Sequence, residues 1–179
     1  RMGVTRAAVI GCGDVSIVHF EGIHAIDGIE LAAVCDTDPG RGREAAERYG
    51  VPWYETHQQM LDAGGVDVVH VTTPHGEHAQ PTIDCLAAGV HVIQEKPLAH
   101  TLAEGQRIVD AAAAASAKVG VCFQNRYNVS SQELRRILDS GELGEIRGAY
   151  ASVVWTRTPD YYRNRPWRGT WEGSGGGLM

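Results

Sequence analysis

Apolar residues along this chain fall into short unbroken runs separated by longer stretches with helical spacing. Residues 4–10 form a β-type run, and residues 15–26 follow with Val18, Ile23 and Ile26 at helical intervals. A second run covers residues 31–35. Asp38 and Pro39 then suit the cap and first position of a helix that ends near Tyr49, with Gly50 as its stop. Thr56 and Gln59 have the spacing of a capping box. Residues 66–71 form a third run, followed by Ala79, Ile83, Leu86 and Ala87 on one helical face. A fourth run covers residues 90–93. Thr101 and Glu104 repeat the capping-box spacing and open an Ala-rich helix to about Ala115. Residues 119–123 form a fifth run.

Continuous apolar strands alternating with amphipathic helices predict a parallel sheet covered on both faces. With right-handed crossovers this is an α/β, Rossmann-type doubly wound fold. It is expected to occupy residues 1–123. After Phe123 the pattern changes. Ser130 and Glu133 suit a helix start ahead of Leu134, Ile137 and Leu138, Gly141 and Gly144 bound a turn, and residues 146–155 read as a long strand. Residues 124–179 are therefore expected to begin a second, α+β domain that is incomplete here, with a role in substrate binding and oligomerisation that a family resemblance, and not this pattern, implies. Its apolar edge strand would invite self-association.

The 179 residues carry a formal net charge of -6, which argues against a duplex nucleic-acid partner. No apolar run is long enough to span a bilayer, and no signal peptide is visible, so a cytoplasmic location is expected. Arg1 before Met2 reads as a remnant of processing or cloning. Cys12, Cys35, Cys85 and Cys122 show neither C-x-x-C pairing nor metal-site spacing and read as reduced thiols. His19, His24, His57, His70, His91 and His100 likewise show no ligand spacing and read as surface or strand histidines. No metal is expected.

Gly11-Cys12-Gly13-Asp14-Val15-Ser16 follows the first strand and opens the first helix, close to the pattern G-x-G-x-x-G. Gly11 permits the tight turn, Gly13 lets a diphosphate approach the backbone, and small Ser16 replaces the third glycine. The helix head offers free N–H groups and a positive dipole end. Asp36 stands twenty residues after Ser16, at the end of the second run, and is followed by Thr37. A carboxylate there accepts hydrogen bonds from ribose hydroxyls, which favours NAD over NADP. Arg41 and Arg43 lie close enough to leave NADP open.

Three further strand ends carry polar motifs: Thr72-Thr73-Pro74-His75-Gly76-Glu77-His78, then Glu95-Lys96-Pro97-Leu98-Ala99, then Phe123-Gln124-Asn125-Arg126-Tyr127. Together with the glycine turn, and with Trp167-Arg168-Gly169 and Gly175-Gly176-Gly177-Leu178-Met179 further on, the chain resembles the glucose–fructose oxidoreductase / inositol dehydrogenase (Gfo/Idh/MocA) family. The strand ends are where ligands bind in open α/β sheets. Thr72, Thr73, Pro74, His75, Glu95, Lys96, Asn125 and Arg126 are expected to line the cofactor crevice. His78 reads equally as a cofactor contact or as a capping or core histidine. Arg126 reads as a cleft residue or a domain junction, and Trp167 and Arg168 as cofactor contacts or an exposed loop. The resemblance implies that Lys96 touches the substrate hydroxyl and the nicotinamide ribose. A lysine enclosed beside a cationic ring has its pKa lowered and can hold the proton an alcohol loses. Lys96 is the candidate catalytic residue; a solvated lysine paired with Glu95 is the bland alternative.

The resemblance implies an oxidoreductase that moves hydride between NAD(P) and a hydroxyl carbon of a sugar, cyclitol or related polyol. Family members also carry an aspartate and a histidine after the Gly-Gly-Gly segment, and this sequence contains neither position. The chain is therefore expected to be a fragment, inactive as it stands. A non-catalytic dinucleotide-binding sensor is the alternative role.

Overall fold

The computed structural model describes residues 3–176. Six strands form one parallel sheet: β1 (Thr5–Ile10), β2 (Ile29–Cys35), β3 (Trp53–Tyr54), β4 (Val68–Val71), β5 (His91–Glu95) and β6 (Val119–Cys122). Their order is β3-β2-β1-β4-β5-β6. Five helices connect them: α1 (Ser16–Ala25), α2 (Pro39–Tyr49), α3 (His57–Ala63), α4 (Ala79–Ala87) and α5 (Leu102–Ala114). The direction of winding reverses between β1 and β4, which opens a crevice at their carboxyl ends.

Strand alternation divides the core in two. Ala8 and Ile10 of β1 join Val69, Val71 and Val92 on one face, under Met60 of α3 and Cys85 and Leu86 of α4. Ala7 and Val9 join Val34 on the other face, under Phe20 and Ile23 of α1 and Ala45 of α2. Each fully buried Val, Leu, Ile or Phe side chain contributes about 1.5–3 kcal/mol.

The local signals act as their chemistry requires. Asp38 accepts the N–H groups of Gly40 and Arg41 with Pro39 at the helix start, and Gly50 closes α2 at φ 67°. Thr56 and Gln59 form a reciprocal capping box on α3. Thr101 caps α5 by accepting the Glu104 N–H. All four cysteines are free, and burial pushes the Cys12, Cys35 and Cys85 thiols up to about 12. Among the described residues no helix is long and apolar enough to cross a membrane.

The chain divides into two compact units, one running to Cys122 and resuming at Pro166, the other Phe123–Arg165. The second unit holds α6 (Val129–Ser140) and α7 (Pro159–Arg163). Asn128 precedes α6, two residues earlier than the expected cap Ser130, and Glu133 pairs with Arg136 at 2.7 Å instead of capping the helix. Residues 146–155 join no ladder and form no strand, against the strand expected there. Apolar, β-prone residues make a strand only when a second strand supplies hydrogen-bond partners. From Pro166 the chain belongs to the first unit, as a 3₁₀ turn (Pro166–Gly169) and the short α8 (Trp171–Ser174). Arg1, Met2, Gly177, Leu178 and Met179 lie outside the described residues.

Candidate active site

The glycine turn crosses the end of β4 at close range. A Cβ on Gly11, at φ +93°, would lie 2.9 Å from Thr72 C and Thr73 N. A Cβ on Gly13 would meet nothing within 4 Å, so the space above the turn is open. Ser16 is buried, and its hydroxyl donates to Gly13 O at 2.6 Å. Helices α2, α3 and α5 each carry a capping side chain, whereas α1, which starts after Val15, has none. A glycine cradle with open space above it and a helix head no side chain covers fits a diphosphate.

Asp36 binds this turn together. Its Oδ2 accepts Cys12 N–H at 2.7 Å and its Oδ1 accepts Asp38 N–H at 2.8 Å. One lone pair on each oxygen remains for a ribose hydroxyl. Thr37, next in sequence, is exposed. Arg41 lies 3.6 Å from Asp38, and Arg43 stacks over Trp53 at 5.2 Å, so both nearby guanidinium groups are engaged.

At the end of β4, Thr72 is buried, and its hydroxyl donates to the carbonyls of Ile10 and Gly11. Thr72 therefore ties strand to turn and is not an open cofactor contact. Thr73, Pro74 and His75 are half-buried at the crevice. His78 requires a correction: it is 0% exposed and cannot touch a cofactor. Its Nδ1 lies 2.8 Å from Pro97 O and its Nε2 3.0 Å from Thr73 O, so the ring clamps the two strand-end loops together. Burial lowers its pKa even though the two carbonyls pull the other way, so the neutral ring donates to one of them at a time.

The segment from Pro166 covers part of this edge. Trp167 meets the His75 ring edge-on at 4.9 Å, and His75 Nδ1 donates to Ser174 O at 3.1 Å. Arg168 lies 3.7 Å from Asp14, the acidic residue of the phosphate turn. Both Trp167 and Arg168 thus stand beside the crevice and not in an exposed loop.

The third strand end is built on Gln94, which is fully buried. Its amide donates to Leu98 O at 2.6 Å and to Pro97 O at 3.3 Å, while its oxygen accepts the Thr82 hydroxyl at 2.7 Å. The Lys96–Pro97 peptide is cis. Lys96 is exposed, and among the described residues its ammonium makes no ion pair. Its hydrogen bond to Glu95 is made by the backbone, whose N–H donates to Glu95 Oε2 at 3.2 Å, while the ammonium acts on Glu95 only as a nearby charge. The expected alternative, an ammonium–carboxylate pair, is absent among the described residues.

Behind Glu95 lies a cluster that spacing did not reveal. His19, expected at the surface or in a strand, is a buried residue of α1, and His70 of β4 lies beside it. His19, Glu95 and Cys122 each offer one ligand-type atom, all within 4.8 Å of one another. This donor set is chemically able to hold a small cation. In the structure a His19–Glu95 hydrogen bond already occupies two of the three groups, and burial with the Glu95 charge raises the Cys122 thiol. The only sequence signal was that the three fall on α1, β5 and β6, elements a Rossmann fold brings together.

Asn125 and Arg126 sit in the second unit, in an exposed 3₁₀ turn (Gln124–Tyr127), with the Arg126 guanidinium 5.7 Å from the Phe123 ring centre.

Comparison with known proteins places this geometry. The profile described as an oxidoreductase family with NAD-binding Rossmann fold matches residues 5–123, and the Gfo/Idh/MocA C-terminal domain profile matches residues 131–179. Inositol 2-dehydrogenase of Salmonella typhimurium is 31% identical over 144 residues, covering 78% of this chain and 43% of that enzyme. D-glucoside 3-dehydrogenase of Escherichia coli is 36% identical over 143 residues, covering 79% and 41%. Among solved structures, the WlbA dehydrogenase of Chromobacterium violaceum, in complex with NADH and UDP-GlcNAcA, superposes with a TM-score of 0.91 at 39% identity. That likeness covers 98% of this chain and 51% of WlbA. The chain thus spans less than half the length of the curated relatives it matches. A glycine turn over an open diphosphate cradle, a β2 acid bonded to that turn and the match across residues 5–123 make this chain a member of the Gfo/Idh/MocA oxidoreductase family, carrying its NAD-binding Rossmann domain.

Proposed function

We propose that this chain is the cofactor-binding part of a dehydrogenase that moves hydride between NAD and a hydroxyl-bearing carbon of a sugar, with Lys96 at the reacting hydroxyl. The observation that carries the reading is the Lys96 ammonium. It stands exposed at the carboxyl end of β5, at the same sheet edge as the phosphate turn, without an ion pair among the described residues.

Bound NAD supplies the hydride acceptor. The residues of this chain do the rest. Gly11, Gly13 and the uncapped head of α1 hold the diphosphate, while Asp36 takes a ribose hydroxyl. Arg168, beside Asp14, offsets the acidic charge next to the diphosphate. Lys96 hydrogen-bonds the substrate oxygen and holds or relays the proton released as the alcohol becomes a ketone. Engagement of Arg41 and Arg43 elsewhere supports NAD over NADP.

A nucleotide sugar is favoured over a free cyclitol by how far the likeness extends. The WlbA structure, solved with UDP-GlcNAcA, covers 98% of this chain at a TM-score of 0.91, whereas the solved myo-inositol 2-dehydrogenase of Lactobacillus plantarum covers 79% at 0.73.

The test is NADH formation by the full-length protein with UDP-GlcNAcA, myo-inositol and simple glucosides, using NAD and NADP in parallel. Turnover is expected with NAD and highest with the nucleotide sugar. Lys96→Ala is expected to lose about 10²–10⁴-fold in kcat while its NAD affinity changes little. Full turnover in that variant, or none with any hydroxyl substrate in the wild type, would overturn the reading.

A further inference from the structure

Three side chains that lie far apart in sequence form a continuous line beneath the Lys96 loop. His19 on α1 places Nε2 3.2 Å from Glu95 Oε1 and Nδ1 2.9 Å from Nδ1 of His70. The His19 side chain is 7% exposed and that of Glu95 12%. The second Glu95 oxygen accepts the Lys96 backbone N–H. The line therefore runs from the middle of β4, through the helix that opens at the phosphate turn, to the main chain of Lys96.

Counting hydrogens determines how the rings are protonated. Burial would raise the Glu95 carboxyl, but the bond and charge of His19, with the Lys96 amide and ammonium, outweigh it and hold Glu95 below its ordinary value. An ionised carboxylate has nothing to donate, so the shared hydrogen sits on His19 Nε2. The two facing Nδ1 atoms share one more hydrogen. Either His70 gives it to a neutral His19, or a charged His19 gives it to His70. His70 is neutral in both cases, since burial and the nearby His19 push it down to about 4.

The geometry points to His19 as a positioning residue for the reaction: its Nε2–H holds Glu95, and Glu95 in turn pins the backbone from which Lys96 reaches the substrate. This rests on the assignment of Lys96 to the reacting hydroxyl. His19 lies three residues into α1, so the helix whose head receives the diphosphate also carries the ring that steadies the reacting lysine. A planar ring fixed at both nitrogens transmits position better than a flexible chain, and misplacement of a reacting group by about 1 Å costs up to about 10²-fold in rate.

The test compares His19→Leu, which removes the donor, with His19→Gln, whose amide N–H can reach the same carboxylate. Leu is expected to lower kcat by about 10- to 100-fold, with substrate KM and NAD affinity nearly unchanged, and Gln to restore most of the loss. Unaltered kcat in His19→Leu, or equal loss in both folded variants, overturns the assignment. Imidazole ¹⁵N spectra of the wild-type protein decide the matter even where a variant fails to fold. A protonated Nε2 on His19 that responds to Glu95→Gln is expected, and an unprotonated Nε2 rejects the line. Lys96→Ala, run beside these, keeps the two claims separate. If that variant retains full turnover, the functional reading falls while the spectroscopic result still reports on His19.

Discussion

The Asp36 carboxylate lies 2.7 Å from the Cys12 amide nitrogen, so the acid ending β2 and the phosphate turn after β1 form one hydrogen-bonded unit. The acid shapes the turn with one set of lone pairs and has others left for the ribose contact proposed for it. Asp36→Ala removes both, and hydrogen bonds to charged groups contribute about 1.5–3 kcal/mol each. NAD affinity measured by calorimetry is expected to fall about 10- to 100-fold. NADP, whose extra phosphate the carboxylate repels, is expected to lose less. An unchanged NAD-to-NADP ratio would confine Asp36 to the turn and remove its ribose role.

His70 makes stability depend on acidity. Its folded-state pKa is about 4, against an ordinary 6.5, so as pH falls the unfolded chain takes up this proton first. The contribution is fully present above pH 6.5 and is lost as pH falls through the window from 6.5 to 4. The slope is at most about 1.4 kcal/mol per pH unit. Thermal melting across this range should show the decline in the wild type and a flatter profile in His70→Phe. Identical profiles would assign the decline to another group.

Gly76 reports on the seating of α8. A Cβ there would lie 2.6 Å from Glu172 O. Gly76→Ala is therefore expected to push Trp171–Ser174 outward and lower the cost of local opening by about 1–3 kcal/mol. Hydrogen exchange should quicken across those residues and not in the central strands. Unchanged exchange would mean that α8 does not rest on this loop.

Much of the first unit was legible in the sequence because each signal there is local. The runs ending at Ile10, Cys35 and Val71 are strands because both faces are buried, and Asp38, Gly50 and Thr56 act within four residues of themselves. β3 went unseen because two residues, Trp53 and Tyr54, show no periodicity; a neighbouring strand recruits them. The expected strand over residues 146–155 failed for the complementary reason, since its residue types favour a ladder that no neighbour provides. The candidate site divides in the same way. Gly11, Gly13 and Asp36 follow a spacing tied to one turn. The His19–Glu95–His70 line joins residues 76 and 51 positions apart, a relation only the sheet order creates. His78 shows the limit of a motif: position placed it at the crevice, but packing turned its ring into the core.

Buried Gln94 holds the loop after β5 through Leu98 and Pro97, and Thr82 holds Gln94. All of these anchors belong to the cofactor-binding unit, so the seat of Lys96, the lysine proposed to meet the reacting hydroxyl, owes nothing to whatever recognises the rest of the substrate. Such an arrangement lets the recognition module be exchanged or remodelled over evolutionary time without disturbing the chemistry.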